Sequence, residues 1–265
     1  MAKRTGLLML VFLLLFLPAC GDEGAPPQSG KTTPPAAAES PFILVFAVDA
    51  TWPPMEYLDE KGRIVGFSID YMTAAAREAG FKPVFQNVAW EGIFEGLDRG
   101  DYDAVCSSVS ITQERRGRMD FSEPYFRVRQ ALLVRRDSAA RRIEDLVGGK
   151  VGAQVNTTGA EAVKGAKGVG CVTYPEVGPA VEDLVAGKLE GVVCDDPVAA
   201  NYALVQGKYQ DLLKVVAMVE TKEVEYYGIA VKKHNQRVLD LVNQGLAGVK
   251  AKGLDRELLA KWVGQ

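Results

Sequence analysis

From residue 42 onward the chain alternates short β-branched or aromatic runs with longer helical stretches, and this βαβ rhythm commits it to an α/β fold with parallel sheets. Strands are expected over 43–48, 83–86, 104–108, 131–135, 150–154, 171–174, 191–194 and 227–231. Helices are expected over 68–78, 93–99, 143–147, 158–163, 177–186, 197–206, 235–252 and 254–262, the last two split at Gly253. No short-period sequence repeat is visible. Ligands of open α/β sheets collect in the crevice outside the carboxyl ends of the strands. Unusual polar residues fall at those ends: Asp49 after ILVFAV, Ser107 and Ser108 closing AVCSS, Gln154 with Thr157 and Thr158 after KVGAQ, and Asp195 after GVVC. Their coincidence predicts one shared cleft.

The segment DYDAVCSSVSITQERRGRMDFSEPYF, residues 101–126, puts an arginine where helix physics disfavours one. Thr112 is a candidate N-cap, which places Arg115 in the first helical turn. The helix dipole opposes a cation there by a few tenths to ~1 kcal/mol. An anionic partner offsets that cost, and the planar guanidinium matches a carboxylate with two hydrogen bonds. Ser108, Ser110 and Arg115 therefore form a candidate carboxylate clamp. The competing possibility is an exposed arginine paired with Glu114 or Asp120.

Lys3 and Arg4, an apolar run over 6–17, and then Pro18, Ala19 and Cys20 have the layout of an export signal. The run is shorter than the ~20 residues of a transmembrane helix. LPAC resembles the bacterial lipobox, which implies a signal peptide over 1–20, lipidation of Cys20 and an exported protein anchored to a cell-envelope membrane. Pro18 departs from the commoner residues there, and cleavage near Ala19 without a lipid is the alternative. Residues 21–41, dominated by Gly, Pro, Ala, Ser and Thr, are expected to form a disordered tether. The remaining length suffices for one large or two modest domains with real cores. A net charge of −3 with acidic and basic residues interspersed leaves no basic stripe, so no nucleic-acid partner is expected.

With Cys20 lipidated, Cys106, Cys171 and Cys194 remain, and at most one disulfide can form among them. All three lie in apolar runs, where thiols act as small hydrophobes, although a Cys171–Cys194 pair stays open in an exported chain. His234, the only histidine, sits in the polar turn KKHNQ and is expected to be solvated. Metal-ligand spacing is absent, so no metal or other cofactor is expected.

The segments VDATWPPMEY, GRIVGFSIDYM, SSVSITQERRGRMDFSEPYF, VGAQVNTTG, GVVCDDPVA, YYGIAVKK and AKWVG follow one another along residues 43–264. Together they resemble the bacterial extracellular solute-binding proteins of the polar amino acid class, which feed ABC importers. The resemblance implies a periplasmic-binding-protein-like type II fold, with two α/β lobes joined by two hinge strands. Lobe I would comprise 42–124 and 228–265, lobe II 130–222, and the hinges 125–129 and 223–227. It further implies a monomeric binding protein, not an enzyme, with a free L-amino acid held between the lobes and an ABC permease as partner.

Carried over residue by residue, Arg115 would hold the ligand α-carboxylate, helped by Ser110 and by the backbone of Thr157 and Thr158 at a helix start. Asp195 would take the α-ammonium with Ser108 as second acceptor. Trp52 and Trp90 would sandwich the aliphatic part of the side chain, and Asp49 would read its polar end. Asn156 stands where the family commonly has glycine. Asp195 and Asp196 precede Pro197 at a helix start, and the capping role is assigned to Asp196, the ligand role to Asp195.

Asp49 and the run Ser107, Ser108, Val109, Ser110 resemble the subgroup that binds lysine, arginine, ornithine or histidine. An uncompensated Asp49 favours a cation or an amide donor, and cation–π contact with Trp52 or Trp90 adds ~0.5 to 2 kcal/mol. A basic amino acid is therefore the first expectation and glutamine the second. Two other functions use the same fold: a ligand sensor for a receptor complex, and an enzyme such as cyclohexadienyl dehydratase. The enzyme needs a general acid with a tuned pKa; Glu56 and Glu91 are acidic residues near the aligned aromatics, but nothing in their sequence context marks either as catalytic.

Overall fold

Strand β1 (Phe42–Val48) shows how the period of two builds the body of the protein: Leu44 and Phe46 enter one core while Val45 and Ala47 face another. The structure is a computed structural model that describes residues 42–264; the export signal, Cys20 and the tether lie outside the described residues. A small antiparallel meander, β2 (Thr51–Trp52), β3 (Glu56–Leu58) and β4 (Ile64–Val65), follows β1. It leads into α1 (Phe67–Ala79) through Gly66, whose φ is 136° and where a Cβ would stand 2.2 Å from the Met55 carbonyl oxygen. Glycine alone fits that turn. Then come β5 (Phe81–Asn87), α2 (Ile93–Arg99), β6 (Ala104–Val105), α3 (Gln113–Arg118) and β7 (Met119–Phe121).

The chain crosses once along β8 (Phe126–Val128) into β9 (Gln130–Arg135), which begins a second sheet. That sheet is continued by β10 (Lys150–Gln154), α4 (Thr158–Gly165), β11 (Gly170–Tyr174), α5 (Val177–Val185), β12 (Gly191–Asp195), α6 (Asp196–Ala200) and β13 (Leu213–Val219). The return crossing is β14 (Glu225–Tyr227), paired antiparallel to β8. β15 (Ala230–Lys232), α7 (Gln236–Ala251) and α8 (Leu254–Trp262) complete the first half.

The sheets have the orders β5-β1-β6-β15-β7 and β11-β10-β12-β9-β13. Purely parallel sheets were the expectation, and both are mixed. β15 runs against β6 and β7, and β9 runs against β12 and β13. Helical crossovers enforce parallel pairing, but β9 and β15 enter their sheets directly from the crossings β8 and β14. Other boundaries shift for local reasons. The strand expected over 104–108 ends at Val105, and the chain turns at Ser108 with φ 45°. The helix expected over 197–206 breaks into α6 and a π turn over Asn201–Val205, and that over 143–147 is a 3-10 turn, Ile143–Leu146. The strand expected over 227–231 is interrupted between β14 and β15.

Helices cover both faces of each sheet. Tyr71 and Ala75 of α1 and Val242 and Leu246 of α7 pack with Leu44 and Phe46, while Ile93 and Leu97 of α2 share a core with Ala47 and Val105. Gly245 lets α7 approach closely, since a Cβ there would lie 2.4 Å from the Ala75 carbonyl oxygen of α1. In the second sheet Ala131, Leu133 and Val192 meet α5, and Leu132, Val134 and Val193 meet Ala160 and Val163 of α4. Each of the fully buried Val, Leu and Ile side chains among these contributes ~1.5–3 kcal/mol. Where the chain crosses, Phe67, Tyr71, Tyr125, Phe126 and Tyr227 form an aromatic cluster with ring centroids 5.3–6.3 Å apart. Cys106 and Cys194 are buried and Cys171 half-buried; all three are free thiols, so the open disulfide is not formed. His234 is exposed.

Candidate functional site: the cleft between the sheets

The carboxyl ends of β1, β6, β10 and β12 converge on one cavity. From the first sheet's side Asp49, Trp52, Trp90, Ser107, Ser108, Ser110 and Arg115 line it, and from the second Gln154, Thr157, Thr158 and Asp195. Every residue singled out from the strand ends and the clamp is therefore in one place, joined by Glu56 and Gln130. The cavity volume is about 20 Å³, and a groove of about 800 Å³ that shares Trp90, Arg115, Thr157 and Thr158 adjoins it. Side chains tie the two walls together. Trp52 Nε1 donates to Asp195 Oδ2 at 3.0 Å, Trp90 Nε1 to the Val155 carbonyl at 2.9 Å, and Gln154 Nε2 to Asp49 Oδ2 at 2.9 Å.

At one end stands Arg115. Thr112 caps α3, accepting from the Arg115 backbone N–H at 3.2 Å, so the arginine does occupy the first turn. Its Nη1 donates to the Ser110 carbonyl at 2.8 Å and its Nη2 to the Asn156 carbonyl at 2.9 Å. The guanidinium lies over the rings of Trp90 and Phe94, 5.6 and 5.4 Å from their centroids. The alternative pairing with Asp120 is taken instead by Lys233, at 2.8 Å. Burial pulls the Arg115 pKa down to about 10, opposed by the attraction of Asp195 and Glu225, so it remains a cation at neutral pH. Asn156 adopts φ 58°, a conformation glycine or asparagine takes more readily than other residues, and its carbonyl is thereby turned to the guanidinium. Thr157 caps α4, accepting from the Ala160 N–H at 3.1 Å, and with Thr158 it places the start of that helix at the cavity lining.

The acidic end is centred on Asp195. Its carboxylate accepts from Trp52, from Gln130 Nε2 at 2.6 Å and from the Tyr227 hydroxyl. Burial raises its pKa to about 7, against the lowering effect of those donors. Asp49 is not uncompensated, as the sequence suggested: Thr51 Oγ1 donates to it at 2.8 Å as well as Gln154, although burial still holds its carboxyl above the usual range. Ser107 Oγ accepts from the Asp49 N–H at 2.9 Å and so fixes the β1 end rather than facing outward. Ser108, at its strained φ of 45°, donates to Glu56 Oε2 at 3.0 Å. Glu56 is fully buried, with its carboxyl pushed well above the ordinary range by burial. The capping assignment is corrected. Asp195 itself occupies the N-cap position of α6 without a side-chain cap bond, and Asp196 instead accepts from the Arg129 N–H at 3.1 Å and pairs with its guanidinium at 3.3 Å.

Glu56 was noted from sequence only as an acid near the aligned aromatics, and three further residues of the site went unassigned: Gln130, Glu225 and Tyr227. Gln130 Nε2 reaches Asp195, Thr158 Oγ1 at 3.1 Å and Glu225 Oε2 at 3.1 Å. Glu225 Oε2 also accepts from Ser110 Oγ at 3.0 Å and Thr158 Oγ1 at 2.8 Å. The signal for the last pair is a period of two on β14: Glu225 and Tyr227 face inward while Tyr226 is exposed.

A cation and a buried acidic cluster facing each other at the strand ends of two sheets suit a bound solute better than a surface. The family profile of the bacterial extracellular solute-binding proteins, family 3, matches residues 44–265. The chain belongs to that family. A probable histidine-binding protein of Neisseria gonorrhoeae is 33% identical over 252 residues, covering 94% of this chain and 91% of the relative. A solved structure of an ancestral arginine-binding protein bound to glutamine superposes with a TM-score of 0.77 at 36% identity, over 84% of this chain and 98% of the other. The ancestral amino-acid-binding protein AncCDT-1, a precursor of cyclohexadienyl dehydratase, superposes with a TM-score of 0.74 at 33% identity, over 83% of this chain and 95% of the other. This solute-binding protein thus has the type II periplasmic-binding-protein fold, two α/β lobes joined by two hinge strands.

Proposed function

We propose that this protein captures a free L-amino acid in the cleft and delivers it to an ABC permease. The observation that carries the proposal is the opposition of Arg115, cationic with a pKa near 10, to Asp195 across one cavity. An α-amino acid is a zwitterion, and each of its charges needs a fixed counter-charge once its water is stripped away. Arg115 takes the α-carboxylate and Asp195 the α-ammonium. Because the two stand on different sheets, only a closed cleft engages both, so binding favours closure; closure of periplasmic binding proteins is a standard case of such hinge motion.

The ligand carries a cationic side chain first, and an amide such as glutamine second. Support comes from Asp49, the acidic side chain of the lining left to face the ligand side chain once Asp195 is paired with the α-ammonium. Trp52 and Trp90 flank the aliphatic portion of the side chain, and the α4 N-terminus at Thr157 and Thr158 assists with the carboxylate. The lobes are bounded by the crossings, 42–124 with 228–265 and 130–222, and the protein acts as an exported monomer lipidated at Cys20. Isothermal titration against the twenty amino acids tests the reading. Arginine, lysine, ornithine or histidine should bind tightly, and binding of only acidic or aliphatic ligands sinks the preference. A second reading, a dehydratase, is favoured by the buried carboxyl of Glu56 with its raised pKa beside the cavity. Incubation with prephenate or arogenate separates the two: product formation would replace transport by catalysis.

A further inference from the structure

We propose that Glu225 is an internal counter-carboxylate that occupies the cradle meant for the ligand's α-carboxylate and has to yield it on binding, a proposal that rests on the amino-acid reading above. The geometry is that of a stand-in. Glu225 Oε2 accepts from Ser110 Oγ at 3.0 Å and Thr158 Oγ1 at 2.8 Å, two of the residues that would hold a ligand carboxylate. Gln130 Nε2 adds a third donor at 3.1 Å and ties the same oxygen to the Asp195 end of the cavity. The donors come from both sheets: Ser110 follows β6, Gln130 opens β9 and Thr158 opens α4. One carboxylate oxygen on the crossing strand therefore does what a bound carboxylate does, drawing the two walls together.

A purely structural explanation fits the rest of the side chain poorly. Glu225 is 3% exposed, yet its other oxygen, Oε1, is buried and takes no hydrogen bond from the protein. No arginine or lysine pairs with it among the described residues, although the Arg115 cation lies within its electrostatic reach. A carboxylate that served only to brace the crossing would be expected to satisfy both oxygens. Ser110 Oγ cannot serve two carboxylates at full strength, and a second anion placed beside Thr158, whose hydroxyl Glu225 already holds, is repelled by the first. An incoming carboxylate thus competes with Glu225, whereas a ligand bearing a neutral amide in that position leaves Glu225 in place and can donate to it. Glu225 then sets how strongly the site distinguishes a carboxylate from its neutral analogues.

The test compares L-arginine with L-argininamide, or the tightest-binding of the twenty amino acids with its α-amide, on the parent and on Glu225→Gln. Loss of one negative charge by itself disfavours argininamide, net +2, more than arginine, net +1, so Glu225→Gln reads charge and cradle together and the charge-keeping Glu225→Asp isolates the cradle. The ratio of amide to acid should rise about fivefold or more in Glu225→Gln, the scale of one charge-assisted hydrogen bond released to the ligand. A smaller rise, or a fall, overturns the assignment. Glu225→Asp keeps the charge but withdraws it by one methylene from Ser110 and Thr158, and should move the ratio in the same direction; whether or not Glu225→Gln folds, this variant decides by the same threshold. A parent that binds none of the twenty amino acids overturns the amino-acid reading and this one with it. A parent that binds one, with an unchanged ratio in the variants, overturns the Glu225 assignment alone.

Discussion

The two ends of the cleft hold charge in opposite ways. Arg115 is bound by backbone carbonyls of Ser110 and Asn156 and stacked on Trp90 and Phe94, and burial lowers its pKa only to about 10. Asp195 is held by three side-chain donors, and burial lifts its pKa to about 7. The cationic end is thus permanently charged under physiological conditions, while the acidic end sits at its titration point. A buried guanidinium tolerates desolvation because its ordinary pKa is far from neutrality; a carboxylate has much less room. On the proposed reading, the anchor for a ligand carboxylate is therefore constant, and the anchor for its ammonium depends on pH.

Removing the constant anchor should have the largest effect. Arg115→Ala is expected to cost about 2 to 5 kcal/mol of amino-acid affinity by calorimetry, since it leaves the ligand carboxylate without its counter-charge in a buried site. Affinity equal to the parent would break the comparison at its first term. Asp195→Asn comes next, at about 1.5–3 kcal/mol for a charged hydrogen bond, and it should act oppositely on stability. A carboxyl whose folded pKa is raised above its unfolded value favours folding at low pH and loses that contribution as pH rises from about 3.8 to about 7. At pH 8 the asparagine variant should therefore melt at a higher temperature than the parent while binding more weakly.

The titration itself supplies a third test. Below about pH 7 a protonated Asp195 no longer opposes an ammonium, so parent affinity should fall by up to about tenfold per pH unit. Asp195→Asn should flatten that profile. A parent profile flat from pH 5 to 8 would place the ammonium elsewhere, with Glu56 or Asp49 as the next candidates.

The difference between the ends also governs what was legible beforehand. The βαβ rhythm and the strand-end polar residues locate the cleft, because both follow from local periodicity and from where open sheets place their crevices. Arg115 was visible as a misfit to the helix dipole, and Asp195 as an acid closing an apolar strand. Glu225 and Tyr227 were not, since the run KEVEYYG is polar and short. Its inward face exists only because β14 pairs with β8, a contact about a hundred residues away in sequence. Gln130 was hidden likewise, as a single polar residue heading the apolar strand QALLVR. The assignment of the cap to Asp196 failed for the same reason: the partner that claims Asp196 is Arg129, in the link between β8 and β9. Mixed sheet direction was missed because the crossings that reverse the strands are tertiary features.

The smallest expected effect probes how Arg115 is held. Its bond to residue 156 goes to the main-chain carbonyl, so the asparagine side chain contributes only by tolerating φ 58°. Asn156→Gly should leave affinity within about 0.5 kcal/mol of the parent, because glycine reaches the same backbone region freely. Asn156→Ala should lower stability by about 1 kcal/mol, the usual cost of forcing a Cβ into left-handed backbone, and weaken binding only as far as the carbonyl shifts. If instead the glycine variant loses more affinity than the alanine variant, the asparagine side chain contacts the ligand, and the carboxylate end is less purely a main-chain construction than Arg115 makes it.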